Sequence, residues 1–220
     1  MVTSVLIVLG SYLIGGVSMA YLAGRLLRGI DLRQYGSGNL GPSNVWQQVS
    51  RPAVVPVGLL EIGQGLLGIV IAKAADQSLS MQVAAGLAAL AGHNWSPFLG
   101  LTGGRGIGPA LGFMLILSPV ALGAFVGSSL VGVALRAVPQ FVLLGIVVAP
   151  LVALAKGQAP EIVAGLAAMA ALIAAKRLLT NRPSIPSGAD PREVLLNRLL
   201  YDRDTREREV WVRGQQTTGR

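Results

Sequence analysis

The chain reads as an all-α polytopic membrane protein: a seven-helix transmembrane bundle over residues 1–182, with a short cytoplasmic linker and tail over 183–220. Three observations predict this. The 220 residues are 52% hydrophobic and only 13% charged, about half the charge of an ordinary soluble domain, and the mean hydropathy is +0.61. Several apolar runs approach the roughly 20 residues that cross a bilayer. The 29 glycines suit close helix–helix contact in lipid, where small residues replace the missing hydrophobic drive.

Taken in order, Val5 to Gly24 is the first span. Ahead of it there is no basic segment, so it is expected to stay as a helix and not to be cleaved as a signal. The loop from Arg25 to Arg51 carries Arg25, Arg28, Arg33 and Arg51 against Asp31. Arginine excess marks the cytoplasmic side, which puts the N-terminus outside. Pro52 to Lys73 goes out, Asp76 and Gln77 turn, and Ser80 to Gly92 returns. Ile107 to Leu117 is short, Pro119 interrupts it, and Val120 to Leu135 continues to Arg136. This stretch is either one kinked helix or two helices; a cytoplasmic Arg136 favours two. Phe141 to Ala155 goes out, Lys156 and Glu161 turn, and Ile162 to Ala175 comes back to Lys176, Arg177 and Arg182. Pro183, Pro186, Ser187 and Gly188 then form a linker. Asp190-Pro191-Arg192-Glu193 matches a helix start, with a capping residue, proline at the first position and an acid at the third. The mixed-sign run that follows, through Glu209, is either a short amphipathic helix on the membrane or bundle, or a solvated tail.

The net charge of +8 fits cytoplasmic loops facing anionic lipid, not nucleic acid. No cysteine and one histidine count against a zinc site, and no cofactor or metal is called for. The chemically distinctive stretch runs from Gly92-His93-Asn94-Trp95 to Gly103-Gly104-Arg105-Gly106-Ile107-Gly108-Pro109. Dense glycines let backbone N–H groups approach a ligand, and the following helix begins with unpaired N–H groups and a partial positive charge. Arg105 adds a forked cation suited to phosphate. The same residues also fit plain packing: Gly104, Gly108 and Gly112 are spaced as a small-residue face, with Arg105 as a membrane anchor. Trp46 and Trp95 suit interface anchors.

A second stretch, Asp31-Leu32-Arg33-Gln34-Tyr35-Gly36-Ser37-Gly38-Asn39-Leu40-Gly41-Pro42-Ser43-Asn44, joins the glycine turn in a pattern. Together they resemble the PlsY family, the bacterial membrane glycerol-3-phosphate acyltransferases that use acyl phosphate. That family shows Gly-Ser-Gly-Asn-x-Gly-Ala-Thr-Asn, then Gly-His-x-x-Pro leading into Gly-Gly-Lys-Gly. This chain departs from it at several positions: Arg105 stands for the lysine, Pro42-Ser43 for alanine-threonine, Gln47 for an arginine, Gln64 for a lysine after Glu61, and Pro109 for a threonine. Asn181, with Arg177 and Arg182, fits a third motif loosely.

The resemblance implies acyl transfer from acyl phosphate to the 1-hydroxyl of glycerol 3-phosphate, giving lysophosphatidic acid. His93, Ser37 and Asn39 would serve the chemistry. Gly38, Gly41, Ser43, Asn44, Gly103, Gly104, Arg105, Gly106 and Asn181 would hold phosphate. Taken alone, the residues of the first loop are also ordinary turn formers. Arg105 is the one clear cation inside the two motifs, with Arg33 and Arg177 as helpers, so at most one phosphate is expected to bind strongly. Restoring charge with Gln47→Arg and Gln64→Lys is expected to lower the Michaelis constant for glycerol 3-phosphate. Two other readings remain: a relative that binds an anionic lipid or acyl phosphate without turnover, and a small anion transporter. The oligomeric state is not legible.

Overall fold

The computed structural model describes residues 1–181, 185 and 188–206, and among them every regular element is helical. The helices are α1 (Val2–Gly16), α2 (Met19–Arg28), α3 (Pro42–Gln48), α4 (Val54–Ala74), α5 (Leu79–Asn94), α6 (Ile107–Leu117), α7 (Pro119–Ala134), α8 (Val138–Ala155), α9 (Pro160–Leu179) and α10 (Pro191–Tyr201). Proline opens α3, α7, α9 and α10, where its missing N–H costs nothing.

The first apolar stretch, expected as one span, is divided. Val17 is extended, and the Ser18 hydroxyl caps α2 by accepting from Tyr21 N at 3.2 Å. The carbonyls of Ile14 and Val17, at the end of α1, accept from Gln64 Nε2 of α4 at 2.8 and 2.7 Å. A side-chain amide thus does what the next helical turn would have done. The stretch around Pro119 is two helices. Ser118 between them leaves the helical conformation, and its hydroxyl caps α7 by accepting from Ala121 N.

Val2–Arg28, α4, α8 and α9 are long and apolar enough to cross a membrane, whereas α6 and α7 are apolar but shorter, at 11 and 16 residues. Leu9, Leu59, Leu60, Leu130, Val133, Leu151 and Leu154 are each more than half exposed, which suits a surface solvated by lipid. The core gathers Ile69, Leu90, Phe113, Met114, Ile146, Leu166, Met169 and Ile173, all inaccessible.

Small residues set the closest helix contacts. A methyl group on Gly15 would overlap the Ala89 carbonyl across α1 and α5, and one on Gly112 would overlap the Ile62 carbonyl across α6 and α4. Gly108 faces Glu61 of α4, while Gly104 lies against the His93 ring. The packing face is therefore real for Gly108 and Gly112, and Gly104 belongs to a different contact.

The connections fall at two ends. At one, Ser4 of α1 donates to Gln77 of the α4–α5 turn at 2.6 Å, and Ser118 donates to Gln158 of the α8–α9 turn. At the other lie the 31–44 loop, the glycine turn, the start of α8 and the end of α9. Here α10 packs on α8 and α9 with Val194, Asn197 and Arg198 buried, so this segment is a helix seated on the bundle. Its cap is the expected one: the Asp190 carboxylate accepts from Arg192 N at 2.9 Å. The expected linker residues Pro183, Pro186 and Ser187, with Arg182 and the run from residue 207, lie outside the described residues.

Candidate active site

A cavity of about 340 Å³ opens at the second end of the bundle. The N-terminus of α3 contributes Gly41, Pro42 and Ser43, with Asn39 just before it. Glu61 and Ile62 come from α4, His93 from the end of α5, and Arg105, Ile107, Gly108 and Leu111 from the glycine turn and α6. Val138, Pro139, Val142, Arg177 and Asp202 close the remaining wall. Polar groups thus converge at one side of a largely apolar chamber, the usual make-up of a small-molecule site.

The two matched stretches meet through Asn181. Its Nδ2 donates to Gly38 O at 3.0 Å and to Gly103 O at 2.7 Å, and its Oδ1 accepts from Gly103 N at 3.1 Å and Lys176 Nζ at 2.9 Å. All of its polar capacity goes to holding the loops together, so here Asn181 is a clamp and not a lining residue. Asn44 does the same work within the first loop. It is 1% exposed, and its Nδ2 donates to Leu32 O, Tyr35 O and Asn39 O at 3.0–3.2 Å, while its Oδ1 accepts from Ser37 N. The Ser37 hydroxyl accepts from Asn39 N at 3.3 Å, away from the cavity lining. Gly36 and Gly38 take left-handed φ values of +53° and +65°, the turn chemistry this tight loop needs.

In the glycine turn, Gly103 N–H is taken by Asn181, and Gly104 N–H donates to His93 O at 3.0 Å. Gly104 has no room for a side chain, because a Cβ there would fall on His93 Nε2. Gly106 caps α6 at φ +75°. The residues this turn brings to the cavity are Arg105, Ile107 and Gly108, and the first-turn N–H groups of the last two have no intrahelical carbonyl to reach. Of the predicted residues, Asn39, Gly41, Ser43, His93 and Arg105 line the cavity, and Ser37, Gly38, Asn44, Gly103, Gly104, Gly106 and Asn181 support it.

The helpers divide. Arg33 is bonded to Asp31 through Nε at 2.9 Å and one terminal nitrogen at 2.6 Å, and to Leu99 O at 3.2 Å; it does not line the cavity. The same guanidinium holds the Asp31 carboxyl below its ordinary value. Arg177 does line it. Its terminal nitrogens donate to Pro139 O and Leu199 O, and its Nε lies 3.8 Å from Asp202 Oδ1. Arg105 forms an ion pair with that same oxygen. Burial, reinforced by neighbouring Arg177, pushes the Arg105 guanidinium down to about 9, so it stays cationic at neutral pH.

Gln64, on α4 and bonded to the end of α1, and Gln47, exposed on α3, are both absent from the lining, so neither marks a cavity cation that is missing. Two charged lining groups were not among the predicted site residues or their helpers: Glu61 and Asp202. Glu61 carried a signal, since a carboxyl inside an apolar helix is itself a pointer to function. It is 1% exposed, with Oε1 unpartnered among the described residues. Asp202 had none, lying 97 residues beyond Arg105 in a mixed-charge tail.

Fold and site together define an integral membrane protein whose helix bundle ends in a chamber with apolar walls and two arginines. The profile described as glycerol-3-phosphate acyltransferase matches residues 5–185, and the chain belongs to that family. Glycerol-3-phosphate acyltransferase 5 of Dehalococcoides mccartyi is 31% identical over 214 residues, covering 94% of this chain and 92% of that one. A glycerol-3-phosphate acyltransferase of a Synechococcus species is 38% identical over 197 residues, 87% and 96% of the two chains. The crystal structure of PlsY, an integral membrane glycerol 3-phosphate acyltransferase, in its glycerol 3-phosphate form, superposes with a TM-score of 0.76 at 28% identity, covering 93% of this chain and 96% of that one.

Proposed function

We propose that this protein moves a fatty acyl group from acyl phosphate to the 1-hydroxyl of glycerol 3-phosphate, giving lysophosphatidic acid for phospholipid synthesis and releasing phosphate. The observation that carries this is the convergence of Asn39, Ser43, His93 and Arg105, from two distant stretches, on one chamber with Arg177. The relatives' names supply the acceptor, and the resemblance supplies the donor.

An acyl phosphate is a mixed anhydride whose leaving group departs readily, so the protein mainly has to position the partners and neutralise charge. The acceptor oxygen forms a bond to the acyl carbon, the carbon–oxygen bond to phosphate breaks, and the hydroxyl proton must leave. His93, the only histidine, lines the chamber and is the side chain suited to take that proton or to hold a phosphate. Arg105 meets the phosphate of the acceptor or donor. Ile62, Leu111, Val138 and Val142 line an apolar wall fit for the start of an acyl chain entering from the bilayer.

We read residues 1–182 as the transferase domain and 183–220 as its tail. The connections alternate between the two ends through α1, α4, α5, α6, α7, α8 and α9, which supports seven crossings. The chamber end carries Arg25, Arg28, Arg33, Arg51, Arg105 and Arg136, which supports a cytoplasmic site and an outside N-terminus.

The test is acyl transfer by the purified protein from acyl phosphate, with glycerol 3-phosphate and other polyol phosphates as acceptors. Lysophosphatidic acid formation is expected. Binding of acyl phosphate without transfer to any acceptor would overturn the reading in favour of a non-catalytic binder.

A further inference from the structure

Both cations of the chamber receive their anion from the chain itself. Asp202 ends α10 in the left-handed region, at φ +61°, and its carboxylate reaches over the chamber. One oxygen, Oδ1, pairs with Arg105 and lies 3.8 Å from Arg177 Nε. The Asp202 carbonyl also accepts from Arg105 at 3.5 Å, and Arg177 donates to Leu199 O of the same helix at 2.8 Å. The segment is folded to make this reach. Arg198, buried beneath α10, bonds Asp204 at 2.6 Å and Leu178 O at 3.3 Å. The Asn197 amide donates to Asp204 O at 3.3 Å. The family profile stops at residue 185, short of this carboxylate.

We propose that Asp202 sets the phosphate affinity of the chamber: it is an internal carboxylate that holds Arg105 and Arg177 until a ligand's phosphate group displaces it. This rests on reading the chamber as a phosphate site. The arrangement of exposure fits exchange. The Asp202 side chain is 31% exposed while those of Arg105 and Arg177 are 10% and 3% exposed, so the anion can leave to solvent and the cations stay. A phosphate monoester brings up to two charges and several oxygens, enough for both guanidinium groups, against the single charge of Asp202. A tethered carboxylate nevertheless competes at high effective concentration, and the apparent affinity for phosphate falls by the fraction of time it occupies the site.

The experiment titrates inorganic phosphate into the purified full-length protein by calorimetry. Removing the internal anion with Asp202→Asn keeps the side-chain shape and is expected to tighten phosphate binding about tenfold or more, the weight of one charge-assisted contact. Arg105→Ala is expected to lose binding. If Asp202→Asn binds phosphate no more tightly than the wild type while Arg105→Ala loses it, the proposal is overturned and the phosphate site stands. If neither the wild type nor Asp202→Asn binds phosphate, both are overturned. A second measurement keeps Asp202 in place. The chain has no cysteine, so Tyr201→Cys accepts a single environment-sensitive fluorophore. Phosphate, but not chloride, should shift its emission in parallel with binding; phosphate binding without a shift overturns the displacement.

Discussion

The 31–44 loop and the 103–108 turn look alike as sequence, since both are glycine-rich and both hold side chains that bind phosphate elsewhere. They use those residues differently. In the loop, polar atoms mostly close on the loop itself: Asn44 serves three carbonyls, Ser37 serves Asn39, and Arg33 serves Asp31. Of its polar residues with side chains, Asn39 and Ser43 line the chamber, and Asn39 Oδ1 is buried without a hydrogen-bond partner among the described residues. In the turn, the glycines let the backbone lie flat against His93 and Asn181, and one charged side chain, Arg105, lines the chamber. The loop is a scaffold that presents two groups, whereas the turn is a close approach that presents one charge. A residue's place in a motif therefore does not say whether its role is support or contact.

The comparison is tested most severely at Arg105. Arg105→Ala should lower the acyl-transfer rate about a hundredfold, the upper range for one charge-assisted hydrogen bond. Arg136→Ala, exposed between α7 and α8, should stay within about twofold, as surface charges do. Equal, small effects would mean that the turn only packs.

Next comes Asn44→Ala. Losing this cluster, in which the two Nδ2 hydrogens serve three carbonyls and Oδ1 accepts from Ser37 N, should cost about 2–3 kcal/mol of stability at roughly 1 kcal/mol per hydrogen bond, read as a lower unfolding temperature in detergent. A variant that unfolds normally but binds acceptor poorly would move Asn44 from scaffold to contact.

Asn39→Ala should show the opposite pattern. The unfolding temperature should hold, while the Michaelis constant for glycerol 3-phosphate rises about fivefold, the weight of one neutral hydrogen bond. Loss of stability without a kinetic change would make the whole loop scaffold.

The smallest effect is expected of Gln47→Arg with Gln64→Lys. The sequence pattern alone predicts a lower Michaelis constant for this pair. With Gln47 exposed on α3 and Gln64 bonded to Ile14 and Val17, the change should stay within about twofold. A large drop in the acceptor's Michaelis constant would show that the bound state brings one of them to the chamber.

What the sequence determined by itself was everything that depends on composition and short spacing. Apolar runs dictate helices in lipid because no water is there to satisfy an open backbone, and proline and serine mark where those helices begin. The interruption at Pro119 and the cap at Asp190 are legible for that reason, while one kinked helix or two stayed open and the pairing of the two glycine-rich stretches came from the family resemblance. What only the tertiary structure decided were contacts between groups far apart in the chain. Gln64 of α4 ends α1, Asn181 joins loops 78 and 143 residues away, and Asp202 lies on Arg105 across 97 residues. A hydrogen-bond donor in a sequence does not name its acceptor. Packing decides which carbonyl or carboxylate arrives within 3 Å, and with it whether a motif residue supports the chamber or faces the ligand.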